Sequence, residues 1–278
     1  MNSQPGKIPC SVGILTLNSA KTLPRCLESV KDFGEIIICD GNSTDETLKI
    51  AQEFGCKIVK QYDSDEPNLK IKDYSEVRNK TVKASSYDWF FQLDSDEYLS
   101  KGLAEEIAGI VLQIKPEHQI YRLPGKLIYE DRIIEHCSSY PGYQFRFFNK
   151  QTGAYYIKTI HERLEFDRTK FSIGTLKNLW CIPFNRDELN EFWQNYRRYI
   201  DMEIKREYRK PTAYFIIHDL IKRPLKIIKL ILTIIYIYLR YGFKDTLPPI
   251  AEFQRIYYAS YLLMAIVVAR LKFIFHKN

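Results

Sequence analysis

The chain has 278 residues, of which 45% are apolar and 27% charged, a composition typical of a globular protein and not of a disordered one. Its net charge of +7 is uneven, because residues 205–278 carry 14 Lys/Arg and 4 Asp/Glu, a balance of +10, and the rest sums to −3. This basic, aliphatic tail predicts contact with an anionic surface, and its long aliphatic runs argue against a nucleic-acid groove. The six cysteines form no C-x-x-C pair, which favours a reducing compartment. We expect a cytoplasmic protein, since the N-terminus has no signal-peptide core.

The first hundred residues predict strands and helices in alternation. Four segments predict strands: the apolar runs SVGILTL (11–17), EIIICD (35–40) and YDWFFQL (87–93), and the more polar CKIVKQY (56–62). Helices are predicted after each strand, near residues 20–30, 42–55, 73–86 and 100–113. Ser43 and Glu46 predict a capping box for the second helix, and Gly55 predicts its end.

This fourfold alternation predicts an α/β fold with a doubly wound, mostly parallel sheet. Beyond residue 118 the pattern changes to strands, loops and aromatic residues, and from Asp187 onward it is helical. We therefore predict a catalytic or binding domain over residues 1–180 and a helical C-terminal extension over residues 181–278.

Two apolar stretches in the extension predict helices at a membrane surface. Their longest uncharged runs, Leu230–Leu239 and Ile256–Ala269, are shorter than the roughly 18–20 residues that span a bilayer. Lysines, arginines and tyrosines flank both runs, as in helices that lie in the interface. We expect peripheral association with the inner face of the cell membrane; a buried helical hairpin is the alternative.

The tetrapeptide DSDE occurs twice, at 63–66 and at 94–97. The first copy follows a polar strand and enters a loop containing Pro67, which indicates a solvated turn. The second copy ends a buried aromatic strand, and ligands of doubly wound sheets bind beyond such carboxyl ends. Asp94 and Asp96 in a D-x-D pattern favour Mg²⁺ or Mn²⁺ and, with it, a diphosphate. No glycine-rich phosphate loop is present.

Four motifs in order, SVGILTLN, EIIICDGNSTDET, SEVRNKTV and DWFFQLDSDEYL, resemble the nucleotide-sugar half of family 2 glycosyltransferases, which have the GT-A fold. Two later segments, YQFRFFNKQTGAYYIKTIHERLEF and RPLKIIKLILTIIYIYLRYGFKD, resemble the lipopolysaccharide-core β-1,4-glucosyltransferase subgroup. The resemblance implies a UDP-sugar donor and a lipid-linked glycan acceptor. It also implies transfer of a hexose, glucose in that subgroup, and a GT-A-type sheet followed by a membrane-associating extension.

The same resemblance implies the roles of individual residues. Asn18 and Ser95 would lie at the nucleotide-sugar, and Asp40 would accept a hydrogen bond from uracil. Arg78 would meet the ribose or diphosphate, and Asp94 the ribose and sugar.

The remaining roles concern the metal and the base. Asp96 and His161 would hold the metal, and Glu162 is the candidate general base of a single inverting displacement. Glu130, Asp131 and Glu135 are its rivals, and Glu97 is expected to be structural.

Other functions stay open at this point. Within the same class, the acceptor could be a polyprenyl phosphate or a capsule or exopolysaccharide intermediate. A nucleotidyltransferase would share the metal and the diphosphate but normally has a basic, glycine-rich N-terminal motif, which VGILTLNSAKTL lacks. A non-catalytic, membrane-associated nucleotide-binding protein is the remaining alternative.

Overall fold

The computed structural model describes residues 6–159 and 162–275, with the side chains of residues 188, 191–195, 198 and 206 left out. The chain divides into two compact units. The first comprises residues 1–126 and 141–183, and the second comprises residues 127–140 and 184–278. The first unit ends at residue 183, and no sequence pattern placed residues 127–140 with the second unit.

Twelve strands are described. They are β1 Ile8–Thr16, β2 Phe33–Asp40, β3 Lys57–Lys60, β4 Trp89–Asp94, β5 Tyr98–Leu99, β6 Ile120–Tyr129, β7 Arg132–Ile133, β8 Gly142–Asn149, β9 Tyr155–Ile157, β10 Arg163–Glu165, β11 Ile173–Thr175 and β12 Trp180–Phe184. The main sheet has the order β3-β2-β1-β4-β8-β6-β12-β5, with β7 and β11 also paired to β6. Strands β9 and β10 form a separate antiparallel pair.

The first four strands are parallel, as the alternating sequence pattern predicts. Strand β8 then pairs antiparallel with β4, and β6 pairs antiparallel with β8. The sheet is therefore mixed, with a parallel half built from the βα units and an antiparallel half built from the aromatic segment. A mixed sheet preceded by βα units agrees with the α/β fold that the sequence predicts.

Eight α-helices are described: α1 Leu23–Val30, α2 Thr47–Glu53, α3 Tyr74–Ala84, α4 Lys101–Val111, α5 Arg186–Glu207, α6 Thr212–Tyr214, α7 Arg223–Tyr241 and α8 Pro249–Phe275. A π-helical segment, Phe215–Lys222, joins α6 to α7, and a 3₁₀ turn spans Lys150–Thr152. Helix α2 begins at Thr47, and its N-cap residue Glu46 makes no side-chain cap. The predicted capping box is wrong because Ser43 hydrogen-bonds to Asp40 instead.

Helices cover both faces of the parallel strands. Leu23, Leu27 and Leu103 from α1 and α4 pack with Val12 and Ile14 of β1 in the main core. On the other face α3 contacts β1 and β2. Gly13 allows that approach, since a Cβ there would lie 2.5 Å from Phe90 Cζ and 2.7 Å from Thr81 Oγ1.

The second unit is helical and has two apolar clusters of its own. One contains Ile134, Cys137 and Leu247, and the other contains Ile200, Phe215 and Ile266. Within the described residues, α8 alone is long and apolar enough to cross a membrane, with a mean hydropathy of 1.7 over an 18-residue window. The helix extends beyond the uncharged run Ile256–Ala269 at both ends, from Pro249 to Phe275, and includes charged residues there.

Candidate functional site

The parallel pairing brings the predicted strand-end residues to one edge of the sheet. Thr16 of β1 is in register with Asp40 of β2, and Leu15 is in register with Asp94 of β4. The hydroxyl oxygens of Ser19 and Ser95 lie 2.9 Å apart and tie the loops after β1 and β4 together. The carboxyl ends of β1, β2 and β4 thus form one polar edge, where ligands of such sheets bind.

Asp40 is only 3% exposed and shapes the loop that follows β2. Its Oδ1 accepts hydrogen bonds from Thr16 Oγ1 at 2.7 Å and from Ser43 Oγ at 2.6 Å. Its Oδ2 accepts the backbone N–H of Ser43 at 2.7 Å. These bonds build the turn after β2, and the contact of Asp40 with uracil stays a prediction.

Asn18 is exposed and lies in the left-handed region with a φ of 51°. Asparagine tolerates this region better than most residues because its short side chain bonds locally. Its Oδ1 accepts the Thr44 N–H at 2.9 Å, and its Nδ2 donates to Asn68 Oδ1 at 2.8 Å. Asn18 is therefore placed at the rim of the polar edge, on the side of the β2 loop.

Arg78 links two of the predicted site carboxylates. It comes from α3, which Asp73 caps by accepting the N–H groups of Ser75 and Glu76. The Arg78 guanidinium places Nη1 3.0 Å from Asp94 Oδ1 and donates Nε to Glu162 Oε1 at 2.6 Å. Because Arg78 is only 4% exposed, this placement favours a positioning role over the predicted direct contact with ribose or diphosphate.

A second guanidinium holds the same aspartate from the antiparallel half of the sheet. Arg146 of β8 places Nη2 3.3 Å from Asp94 Oδ2, and its Nη1 and Nη2 donate to Glu97 at 2.5 and 3.1 Å. Glu97 also accepts Trp180 Nε1–H at 3.0 Å and the Asp94 N–H at 3.0 Å. Glu97, expected to be structural, thus ties Asp94, Arg146 and Trp180 together.

These contacts set the protonation of the two acids. Burial alone would raise the pKa of Asp94, but Arg78 and Arg146 outweigh burial and lower it to about 2. Burial raises the pKa of Glu97 to about 7, against the opposing effect of Arg146. Asp94 is therefore a permanent anion at neutral pH, whereas Glu97 is the acid of the site that titrates near neutrality.

Asp96, unlike the buried Glu97 next to it, is exposed at the polar edge. Its hard carboxylate oxygens fit Mg²⁺ or Mn²⁺, which commonly take one or two protein carboxylates and complete their coordination with water and substrate phosphates. His161, the other predicted metal ligand, lies outside the described residues. Among the described residues, the group of three potential metal ligands that meets within 4.8 Å is elsewhere, at Glu207, His218 and Asp219.

The first DSDE copy has the environment that the sequence predicts for it. Strand β3 is at the edge of the sheet and largely exposed. Asp65 pairs with Lys60 at 2.8 Å, but the two side chains are 97% and 60% exposed. Water therefore solvates these carboxylates, and the pair contributes little to stability.

Sequence reasoning missed Arg146 and Trp180. One sequence signal could have indicated Arg146. It is a cation inside the aromatic run YQFRFFN, and a buried charge needs a partner. Its partner could not be read from the sequence, because β8 lies about fifty residues after β4 and pairs with it only in the folded sheet.

Comparison with known proteins identifies the family. The model for "Glycosyl transferase family 2" matches residues 11–152. This match covers most of the parallel half of the sheet and includes Arg78, Asp94 and Arg146, whereas Glu162 and Trp180 lie beyond it. The chain belongs to glycosyl transferase family 2.

Individual relatives match over shorter segments. The chain is 34% identical over 105 residues to the SPbeta prophage-derived glycosyltransferase SunS of Bacillus subtilis, covering 35% of this chain and 22% of SunS. It is 34% identical over 102 residues to the lipopolysaccharide core biosynthesis glycosyltransferase LpsC of Rhizobium meliloti, covering 36% of each. The matched segments thus span about a third or less of these relatives.

Among solved structures, the chain is similar to S. aureus TarS 1-349 in complex with UDP-GlcNAc. The TM-score is 0.46 at 15% identity, over 95% of this chain and 91% of that one. The family assignment rests on the sequence match.

Proposed function

We propose that the protein is a metal-dependent, inverting glycosyltransferase that moves a hexose, glucose by subgroup resemblance, from a UDP-sugar to a lipid-linked glycan. The observation that carries this proposal is the polar edge around Asp94 and Asp96. One aspartate there is fixed as an anion by two buried guanidiniums, and the other is exposed. Family membership supports the same activity.

Asp94 and Asp96 would have different roles in binding the UDP-sugar donor. Asp94, held by Arg78 and Arg146, would present a fixed carboxylate to the ribose and sugar hydroxyls. Asp96 would hold the Mg²⁺ or Mn²⁺ ion, together with His161 if the resemblance holds there. When bound, that ion would neutralise charge on the departing diphosphate. Asn18 and Ser95 are the candidates for further donor contacts, and Asp40 would act by shaping the neighbouring loop.

Glu162 is the proposed base. Its Oε1 is held by Arg78 at 2.5–2.6 Å, which orients the carboxylate in the same cluster as Asp94. The acceptor hydroxyl would give its proton to Glu162 as its oxygen forms a bond to the anomeric carbon. The bond from that carbon to the UDP oxygen breaks in the same step, so an α-linked donor gives a β-linked product.

Calorimetry with UDP and UDP-sugars, with and without Mn²⁺, tests the donor site. We expect Mn²⁺-dependent nucleotide binding that Asp96→Asn weakens by about 100-fold or more, since the ion loses a charged ligand. Asp65→Asn is the matched control, because it makes the same change in the exposed copy of the tetrapeptide. Equal binding without metal, or no nucleotide binding at all, would contradict the proposal.

For the acceptor, we propose a lipopolysaccharide-core type of glycan. The subgroup resemblance and the partial similarity to LpsC support this choice. A polyprenyl phosphate or a capsule intermediate is the alternative acceptor, and transfer of labelled sugar to each purified acceptor separates them. Nucleotidyl transfer predicts release of pyrophosphate, and a non-catalytic role predicts no transfer to any of them.

The second unit carries a surface that suits an anionic membrane. On α7, Leu225, Ile228, Leu232, Ile235 and Leu239 are all exposed and recur at helical spacing. Exposed basic residues directly follow three members of this row, about 100° further round the helix: Lys226, Lys229 and Arg240. An apolar row beside a basic row fits acyl chains and lipid phosphates.

Helix α8 carries a longer exposed apolar row. Its members are Ile250, Phe253, Tyr257, Tyr261, Met264, Val268, Leu271 and Phe275, none of them charged.

The opposite face of α8 is tied to the second unit by polar contacts. Glu252 accepts the Ser138 N–H at 2.9 Å, and Gln254 donates to the Leu189 carbonyl at 2.8 Å. Near the other end, Arg270 donates to the Tyr208 and Lys210 carbonyls at 2.9 Å. Crossing a bilayer would move these groups into hydrocarbon. We therefore propose that α8 lies in the plane of the inner leaflet.

Flotation with anionic phospholipid vesicles tests this attachment. We expect binding that weakens with salt and is lost in the double variant Met264→Glu/Val268→Glu. Leu112→Glu/Ile114→Glu is the matched control, because these residues are equally apolar and exposed but lie in the first unit. Vesicle binding that both double variants retain would count against this attachment. Self-association through α8 in place of vesicle binding would also count against it. Attachment to the cytoplasmic face of the membrane agrees with the six free cysteines, because thiols stay reduced in that compartment.

A further inference from the structure

Three potential metal ligands meet in the second unit, on elements that do not contribute to the polar edge of the sheet. Glu207 is the last residue of α5, and His218 and Asp219 are consecutive residues of the π-helical segment. One ligand atom from each lies within 4.8 Å of the others. Glu207 and Asp219 are buried, and the His218 side chain is 31% exposed. The set thus combines an imidazole nitrogen with carboxylate oxygens and has a route to solvent.

One carboxylate oxygen of Asp219 is buried without a hydrogen-bond donor among the described residues. The residue is 0% exposed, and its Oδ1 accepts from Arg223 Nε at 2.6 Å and lies 3.2 Å from His218 Nδ1. Its Oδ2 is buried and has no hydrogen-bond partner among the side chains and backbone that the structure describes. A buried carboxylate oxygen without a donor is unfavourable, and a cation at this point would satisfy it.

Neighbouring side chains hold the potential ligands in place. Arg223 Nε pairs with Asp219 Oδ1, and Arg270 donates to the Tyr208 and Lys210 carbonyls. Tyr214 stacks on His218 and hydrogen-bonds to Glu207. Two carboxylates thus lie beside the His218 imidazole.

The backbone brings adjacent residues into the cluster. A π-helix closes i→i+5 hydrogen bonds, so each residue turns the chain by less than in an α-helix. Consecutive side chains such as His218 and Asp219 consequently diverge less, and both reach the end of α5. Such π-helical turns are frequent at functional sites.

We propose that Glu207, His218 and Asp219 hold a divalent transition-metal cation, with Zn²⁺ as the best match. Three protein ligands of mixed nitrogen and oxygen type, with one position left for water, suit this ion better than Mg²⁺. Arg223 then holds Asp219 Oδ1 while Oδ2 binds the ion, an arrangement that orients a ligand from outside. The ion fastens the end of α5 to the π-helical segment and takes no part in transfer.

The test uses the full chain carrying Asp96→Asn, so that the proposed catalytic ion does not contribute. After chelator treatment, calorimetry with Zn²⁺ alone should show one site, and Co²⁺ alone should give the visible absorption of tetrahedral coordination. Saturating Zn²⁺ should raise Tm. Adding His218→Ala, or His218→Gln if the alanine variant unfolds, should weaken Zn²⁺ binding at least tenfold and abolish the rise in Tm.

His136→Ala is the matched control, because His136 is in the same unit but stacks on Tyr241 instead. It should bind Zn²⁺ as the parent protein does. No Zn²⁺ binding and no Co²⁺ absorption by the Asp96→Asn protein would overturn the proposal, as would unchanged binding after His218 is replaced. Neither result depends on nucleotide, so the glycosyltransferase proposal stands or fails separately.

Discussion

The two DSDE tetrapeptides have the same letters and opposite surroundings. Residues 63–66 follow an exposed edge strand, and their one ion pair, Lys60–Asp65, lies in water. Residues 94–97 follow a buried central strand, and two guanidiniums and an indole hold their acids. Chemical type is therefore a weak guide to function, whereas position at the end of a buried parallel strand is a strong one.

The largest contrast should appear in the rate of sugar transfer. Glu162→Gln removes the proposed base, which Arg78 links to the second tetrapeptide, and should lower kcat by about 10²–10⁴-fold. Glu66→Gln makes the same change in the first tetrapeptide and should leave kcat within about twofold, since Glu66 is exposed. Steady-state assays with UDP-sugar and acceptor measure both. A full-rate Glu162→Gln enzyme would move the base to Glu130, Asp131 or Glu135.

The next largest difference between the two tetrapeptides should appear in the free energy of unfolding. Glu97→Ala leaves Arg146 buried without its main partner and should lower the free energy of unfolding by about 3–5 kcal/mol. Glu66→Ala should change it by less than about 0.5 kcal/mol, because the side chain is exposed. Urea denaturation followed by fluorescence gives both values. Similar losses in the two variants would mean that burial does not distinguish the copies.

A smaller effect should come from exchanging the cations. Arg78→Lys keeps the charge but loses the fork that reaches Asp94 and Glu162 together, so unfolding should become easier by about 1–3 kcal/mol. Lys60→Arg, the converse change at the first copy, should have an effect below about 0.5 kcal/mol. The same denaturation experiment compares them, and an unaffected Arg78→Lys protein would argue against the bidentate contact.

The smallest effect concerns pH. Glu97 has a folded-state pKa of about 7, above its ordinary 4.5, so its contribution to stability is complete below pH 4.5 and is lost as pH rises through 7. The free energy of unfolding should fall by about 1–3 kcal/mol from pH 5 to pH 8. Glu97→Gln should flatten this slope, and Glu66→Gln should keep it. A wild-type profile without the slope would show that Arg146 keeps Glu97 ionised throughout.

Much of this contrast could be predicted from local sequence. Strand β4 reads as buried because Trp89, Phe90 and Phe91 are consecutive apolar residues, and parallel pairing then places Asp94 at a shared edge with Asp40. The D-x-D spacing indicates Asp96 as a candidate metal ligand. The polarity of β3 indicates that the first copy is exposed to solvent.

The rest depends on contacts between distant segments. Arg146 meets Asp94 only because β8 pairs antiparallel with β4, and no local pattern specifies that pairing. Ser43 was predicted as a helix cap but bonds to Asp40, a competing acceptor that local propensity ignores. Similarly, the grouping of residues 127–140 with the C-terminal helices follows from tertiary packing.

The cluster around Asp94 also constrains how such a site can evolve. Arg78 and Arg146 carry two positive charges, and Asp94, Glu97 and Glu162 carry up to three negative ones, joined in one series of ion pairs through Asp94. Replacing any one of these residues leaves an oppositely charged partner unpaired where water solvates it poorly. Sequences that change only one of the five residues should therefore be selected against. We expect these five positions to change together among relatives, while residues 63–66 drift freely.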